Sequence, residues 1–563
     1  MPDDVIGTGP VGYTAVGLDL LREQVLGNLR LPDNADVAVE VPAFTVVAAD
    51  IFSAFLERNR LQPDDFAELS DRQIAREFFR GELPVGIREK LSGVADRLDG
   101  PLIVRPSSVL EASFERSLGG AYLAKIVPNH HDDARKRLRQ LIDAIKLVWA
   151  STFFADAVSS RLGAGQSIGA ERMAVVIQRT LGTRFGDHFY PTITAVARSY
   201  NHYPAPGNDP EEGGVSLALG LGRIISEGHA WSYCPKQPTT PPPFKGINDL
   251  LKYTQRSFWA VNLGASGAPD PGRVDEHLVR LGLADAERDG TLELLASTYD
   301  PESDRLGAGL GGPGPRALTF APLLRSKNIP FTSVIETILE CARAATGGEV
   351  VIEIAATLDP VHGLPARYGV VQLRTMSGRG GRESLRPEDL TGDDIFVASA
   401  NCLGNGTRTD FEDIVYLKAE TFDRERTRTM VAELDAVNRG ILAEGRSAIF
   451  VGFGRWGTTD GRYGVPVRWG QISSARVIVE ITLPDAPLNL SQGTHFFHHL
   501  LSQQVLYLSV EHDGEYEVDL DWLDRVPAVW EGRYVRHVRT ERPMEVDVDG
   551  GSRRGLIRRA GEG

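Results

Sequence analysis

The chain has little cysteine. Its three residues, Cys234, Cys341 and Cys402, stand far apart and never in CxxC spacing, so neither a disulfide framework nor a zinc knuckle is indicated, and a reducing cytoplasm is the expected compartment. It also lacks a surplus of positive charge: the formal net charge is −15, which argues against a broad electrostatic footprint on nucleic acid or anionic membrane but leaves room for a local basic pocket. No stretch approaches the roughly 18 uninterrupted apolar residues of a membrane span. The opening MPDDVIGTGPVGY lacks the basic start and apolar run of a signal peptide. The expectation is a soluble cytoplasmic protein with neither nucleic acid nor membrane as partner.

What is present is ordinary for a globular protein: 563 residues, 42% hydrophobic and 24% charged, enough for about three or four domains. Residues 1–235 alternate helical and strand patterns. Asp50 to Leu61 and Leu138 to Phe154 carry apolar residues at helical spacing, Pro101 to Val104 reads as a strand delivering Arg105 to a loop, and Met173 to Ile177 reads as a β-branched strand ending at Gln178. The proline run CPKQPTTPPPFK and the glycine-rich stretch Ser303 to Pro315 read as exposed connections. They bracket a middle segment within 236–376, in which a helix at Val334 to Ala345 precedes two strands, Glu349 to Ala355 and Tyr368 to Leu373, paired as a hairpin with a long turn. A third α/β region, 377–548, has strands at Asp413 to Leu417 and Ala448 to Gly452 around a helix at Arg424 to Leu442. The tail 549–563 is expected to be disordered.

Three segments carry candidate chemistry. In LIVRPSSVLEASFERSLGGAYLAKIVPN, Arg105 is suited to phosphate because a guanidinium grips oxygens bidentately and stays charged; read alone, it is equally a surface arginine paired with Glu111 or Glu115. In MAVVIQRTLG and the later VSLALGLGRIISEG, Gln178 ends a strand, and Gly220 and Gly222 mark a turn. In VVIEIAA and YGVVQLRTM, Gln372 and Arg374 share one strand face, and hairpin pairing can set Glu353 across from them. A glutamate buried between Ile352 and Ile354 is costly unless it meets a cation or donor; the alternative is the polar face of an amphipathic hairpin.

In this order, over about residues 10 to 376, the three segments resemble the ATP-binding part of the phosphoenolpyruvate synthase and pyruvate phosphate dikinase family. The resemblance implies a two-lobed ATP-grasp fold of the α/β (α+β) class with an additional C-terminal α/β domain. One lobe would occupy 1–235, and a linker and second lobe 236–376. It implies ATP as ligand, with Arg105, Glu111, Gly220 and Gly222 near the nucleotide and the adenine at a hinge around Gln178, held largely by backbone groups. It further implies Mg²⁺ on Glu353 and Gln372, with Arg374 beside them. Some positions depart from the family pattern: Thr14 stands where a phosphate-binding lysine is usual, Ala112 replaces a frequent acidic residue, and Val351 replaces a common aspartate.

The roughly 250-residue pyruvate-binding barrel of full dikinases does not fit into the roughly 185 residues after the ATP-grasp part, so phosphoenolpyruvate synthase activity itself is not expected. A phosphohistidine motif is absent in its usual form. The nearest candidate is His495 in SQGTHFFHHL, whose alternative is packing against Phe496 and Phe497. The preceding GFGRWGTTDGRYGVPVRWGQ, with Arg455, Arg462 and Arg468, reads either as an anion or planar-ligand loop or as a β-turn array with a tryptophan core; it resembles uncharacterised proteins that pair such a tail with the same ATP-grasp part. The expected function is an ATP-dependent phosphotransferase acting on an unidentified small-molecule acceptor, directly or through His495. The alternatives are an ATP-grasp carboxylate–amine ligase and a degenerate nucleotide sensor, and a homodimer is compatible with each.

Overall fold

The computed structural model describes residues 5–31, 37–66, 68–110, 122–163, 166–201, 209–226, 230–240, 247, 250–251, 254–264, 270–326, 328–359, 364–376, 385–458, 463–483, 505–550 and 552–559. The protein is of the α/β class, and its chain divides into two compact units. The first comprises Met1–Phe114, Tyr122–Phe154 and Gly169–Met376; the second comprises Glu115–Ala121, Ala155–Ile168 and Ser377–Gly563. Among the described residues no helix is long and apolar enough to cross a membrane.

Two sheets frame the first unit. A five-stranded sheet runs in the order Val5–Ile6, Phe44–Val47, Met173–Arg179, Leu102–Ser108, Lys125–Val127. The near-continuous apolar run of Met173–Arg179 suits its central place, where both faces are covered. Ala134–Ser151 packs against this sheet. Its start is capped by the Asp133 carboxylate, which accepts from the Arg135 N–H at 2.9 Å, and its inner face joins Trp149 to the rings of Phe52 and Phe55. The six-stranded sheet runs Trp231–Tyr233, Gly214–Ala218, Ile193–Arg198, Val350–Asp359, Leu364–Thr375, Val37–Glu40. Alternation sorts its residues: Ile352 and Ile354 enter a core with Val334, Ile335 and Ile338 of the helix Phe331–Thr346, while Val351 and Glu353 lie on the opposite face. The stretch 303–315, expected as a plain connection, carries the short strand Arg305–Ala308, which pairs with Ala296–Asp300.

The second unit is built on a nine-stranded sheet. Asn405–Leu417, Ala448–Phe453, Ala475–Ile481 and Leu506–Val510 run parallel at its middle, with the helix Thr427–Ala443 between the first two in sequence. Buried Ile414, Ile449, Val451, Val477, Val479 and Leu508 form the core on one face. The tail corrects an expectation. Arg554–Arg558 is a strand wedged between Ile395–Ser399 and Val535–Asp549, and burial of Leu556 and Ile557 supplies the apolar gain that a disordered tail would forgo.

Candidate functional site

The site lies within the first unit, where its five- and six-stranded sheets approach. One helix, Gly12–Leu20, sets their spacing, and its glycines explain how. Gly12 has φ +73°, and a Cβ there would stand 2.1 Å from the Ser107 carbonyl oxygen; a Cβ on Gly17 would stand 2.9 Å from the Leu373 carbonyl oxygen. Only glycine lets one helix lie so close to both strands. Ser107 Oγ fastens the contact, donating to the Val11 carbonyl at 2.7 Å and accepting from the Ala15 N–H at 3.2 Å. Thr14, in the first turn, spends its hydroxyl on the Pro106 carbonyl at 2.9 Å.

Arg105 leaves the five-stranded sheet beside Pro106 and ends on the six-stranded one. Its Nη1 donates to the Val371 carbonyl at 2.7 Å and lies 3.5 Å from Gln178 Oε1. Its Nη2 donates to Glu353 Oε2 at 3.2 Å and to Gln372 Oε1. Glu353 and Gln372 are register partners in the hairpin, immediately before a bulge. Burial pulls the Arg105 guanidinium below its ordinary range, Glu353 offsets this, and nearby Arg374 pulls it further down. Glu353 differs from expectation, since its side chain keeps 34% exposure; alternation turns it away from the flanking isoleucines, so the cost foreseen for a buried carboxylate does not arise.

Gln178 also requires correction. It sits in the ladder between Phe44 and Ile103, and the next two N–H groups are bound to the carbonyls of Ala43 and Pro101. A central strand therefore offers no open backbone edge at Gln178 for an adenine. What Gln178 offers is its side chain, which shares the Arg105 cluster and whose buried Nε2 has no partner among the described residues. Gly220 and Gly222 have a packing reason, because added Cβ atoms would meet the Trp259 carbonyl and Thr194 Cγ2; no hydrogen bond joins them to the Arg105 cluster. Glu111 and His495 fall outside the described residues.

Two residues were missed from sequence. Arg198, the last residue of its strand, shares a cross-strand row with Val351 and Arg374; burial pushes its guanidinium down to about 10, with Glu353 opposing. Glu171 accepts hydrogen bonds from Ser108 Oγ at 2.7 Å, Tyr122 OH at 2.6 Å and the Val109 N–H at 3.2 Å. It thereby ties together residues on either side of 111–121. The only sequence signal for Arg198 was a strand pattern ending in arginine; for Glu171 there was none.

Among the described residues, Arg105 and Arg198 both feel Glu353 and Arg374 lies near enough to Arg105 to lower it; such a gathering of guanidiniums in an acidic protein is suited to a polyanion. Residues 23–234 match the family model of the pyruvate phosphate dikinase AMP/ATP-binding domain. This dikinase-type stretch carries Arg105, Gln178 and Arg198 and stops before Glu353, Gln372 and Arg374, which meet it through sheet pairing and through Arg105. The match therefore supports nucleotide binding of the dikinase type, and the geometry adds the hairpin. No curated protein matches the chain.

In the second unit Trp456 and Trp469 are buried, so the arginine- and glycine-rich segment has a tryptophan core and presents neither ring for stacking. Arg468 lies 3.9 Å from Asp156, and Arg462 falls outside the described residues. Nearby Glu480 is buried and accepts from Tyr507 OH; burial pushes its carboxyl up to about 7. An acid with a raised native value binds its proton where the unfolded chain has lost it, so the native state loses stability as pH rises from about 4.5 to about 7. Glu480→Gln is accordingly expected to raise the melting temperature at pH 8 and to change it little at pH 5, as followed by circular dichroism. An equal shift at both pH values would show that Glu480 does not titrate there.

Proposed function

We propose that the first unit binds ATP with its phosphates between the two sheets and that the protein transfers a phosphoryl group from it. The observation that carries this reading is Arg105, which bridges the sheets onto Glu353, Gln372 and the Val371 carbonyl inside the stretch similar to an AMP/ATP-binding domain. Phosphoryl transfer asks little covalent chemistry of the protein, mainly positioning and neutralisation of charge. Arg105 and Arg374 would grip phosphate oxygens, and the Nε2 of Gln178, which has no partner among the described residues, would donate to another.

Among the described residues no group of three His, Cys, Asp or Glu side chains could hold a metal. Mg²⁺ nevertheless fits, because it is commonly held by one or two carboxylates together with phosphates and water. Glu353 and Gln372 would be the protein's share once Arg105 turns to the phosphates, and the ion would supply charge neutralisation across the phosphate chain. The acceptor would be a small molecule, reached directly or through His495.

Thr14 favours one second reading, a nucleotide sensor, since its hydroxyl is committed to Pro106 and offers no cation. Calorimetry of the full chain with ATP, with and without Mg²⁺, followed by product analysis of labelled ATP, separates these readings. Binding with release of AMP indicates dikinase chemistry; release of ADP with a stoichiometric amide indicates a ligase; binding without turnover indicates the sensor. Absence of ATP binding under both conditions sinks all three.

A further inference from the structure

We propose that Arg198 is a phosphate-binding residue which, with Arg374, forms an anion subsite for the terminal phosphates of a nucleoside triphosphate and supplies the cation that position 14 lacks. The inference rests on the ATP reading for the identity of its ligand, but on separate observations for its existence.

The first observation is register. Arg198 pairs with Val351, and Val351 pairs with Arg374 on its other side. Directly paired residues project from the same face of a sheet, and neighbouring strands lie about 4.8 Å apart. The two arginine backbones are thus separated by about 10 Å, with only the short Val351 side chain between them. Two guanidiniums on long stems can close over such a gap onto one phosphate. Glu353 stands two residues along from Val351 on this face, which places the pair beside the Arg105 cluster.

The second observation is that, among the described residues, no carboxylate pairs with these cations. The closest hydrogen-bond partner of Arg198 is the Ser216 hydroxyl, 3.4 Å from Nη1. Among the described residues, neither Arg198 nor Arg374 has a carboxylate within ion-pair distance, whereas Arg105 meets Glu353 at 3.2 Å. A guanidinium withdrawn from water is costly unless an anion or several acceptors meet it. A polyphosphate is the anion whose geometry suits two forks converging from the strands on either side of Val351. The third observation is Thr14: its short side chain is spent on the Pro106 carbonyl, so the phosphate charge must be met from elsewhere.

The test is calorimetry of the full chain with ATP, ADP, AMP and pyrophosphate, comparing the native protein with Arg198→Met and Arg198→Lys. Loss of charge-assisted hydrogen bonds to phosphate is expected to weaken ATP binding by about 10- to 100-fold in Arg198→Met. AMP binding should be unchanged, and Arg198→Lys should recover part of the loss. Because the native arginine has no ion-pair partner among the described residues, Arg198→Met should melt no lower than the native protein. Unchanged ATP affinity in Arg198→Met overturns the subsite, as does an equal loss for AMP and ATP. Native protein that binds pyrophosphate through Arg198 but not ATP retains the subsite and overturns the ATP reading; native protein that binds neither overturns both.

Discussion

Arg105→Met is expected to lower ATP turnover by about 10³-fold, the scale on which a guanidinium facing transferring phosphate contributes, and to weaken ATP binding measurably by calorimetry. The size follows from its position. Arg105 is held between the sheets by Val371, Glu353 and Gln372, so its head has only to turn from those side chains to the phosphates and is in place when charge develops. Arg105→Lys should recover only a small part, because an ammonium is a point charge that cannot grip phosphate as a planar fork. The methionine variant also leaves those acceptors without their donor, so a moderate fall in stability, about 1–3 kcal/mol, should accompany the loss. The two effects separate by measuring ATP binding well below the melting transition. Turnover within tenfold of the native rate would remove Arg105 from the phosphates.

What the sequence disclosed, and what it hid, follows from the range of the interactions. Period-two alternation around Glu353 and Gln372 identified a hairpin and their shared face, because a strand's side-chain direction is a local property. The same alternation, applied consistently, also places Glu353 away from Ile352 and Ile354, so its expected burial was a misreading of adjacency as environment. Gln178 is a different case: its place at an adenine hinge was implied by resemblance alone, and whether its strand is central or peripheral depends on partners distant in the chain, here Phe44 and Ile103. Arg198 was hidden in the same way: its importance lies in a row completed by Arg374, and composition near Arg198 carries no trace of that pairing. The family match stops at residue 234, before the hairpin that completes the cluster. Arg554–Arg558 shows that a glycine- and arginine-rich tail is recruited once two strands leave a slot for Leu556 and Ile557.

Asp413→Ala is expected to destabilise the second unit by about 3–5 kcal/mol, the range for removing one partner from a buried ionic network. Asp413 is fully buried. Its Oδ1 accepts from Arg539 Nε at 2.7 Å and lies 2.8 Å from His537 Nε2, while its Oδ2 accepts from Arg446 Nε. These partners tie the strand Asn405–Leu417 to Val535–Asp549 and to the turn between Thr427–Ala443 and Ala448–Phe453. Loss of the carboxylate would leave Arg446 with Glu412 and Arg539 with Glu444, and would remove the group that raises the values of both guanidiniums. Burial alone would push the Asp413 carboxyl up, but the bonds from His537, Arg446 and Arg539 prevail and hold it down at about 2. Because the native value lies below the unfolded one, this contribution is complete above about pH 4 and is lost as pH falls through about 2. The pH-dependent part amounts to about 2 kcal/mol. Urea unfolding at pH 7 should therefore show a much lower midpoint for Asp413→Ala, and the difference from the native protein should shrink on acidification to pH 2. Asp413→Asn keeps an acceptor oxygen without the charge and should fall between the two at pH 7. A midpoint for Asp413→Ala equal to that of the native protein at pH 7 would mean that the sheet, and not this carboxylate, holds the three elements together.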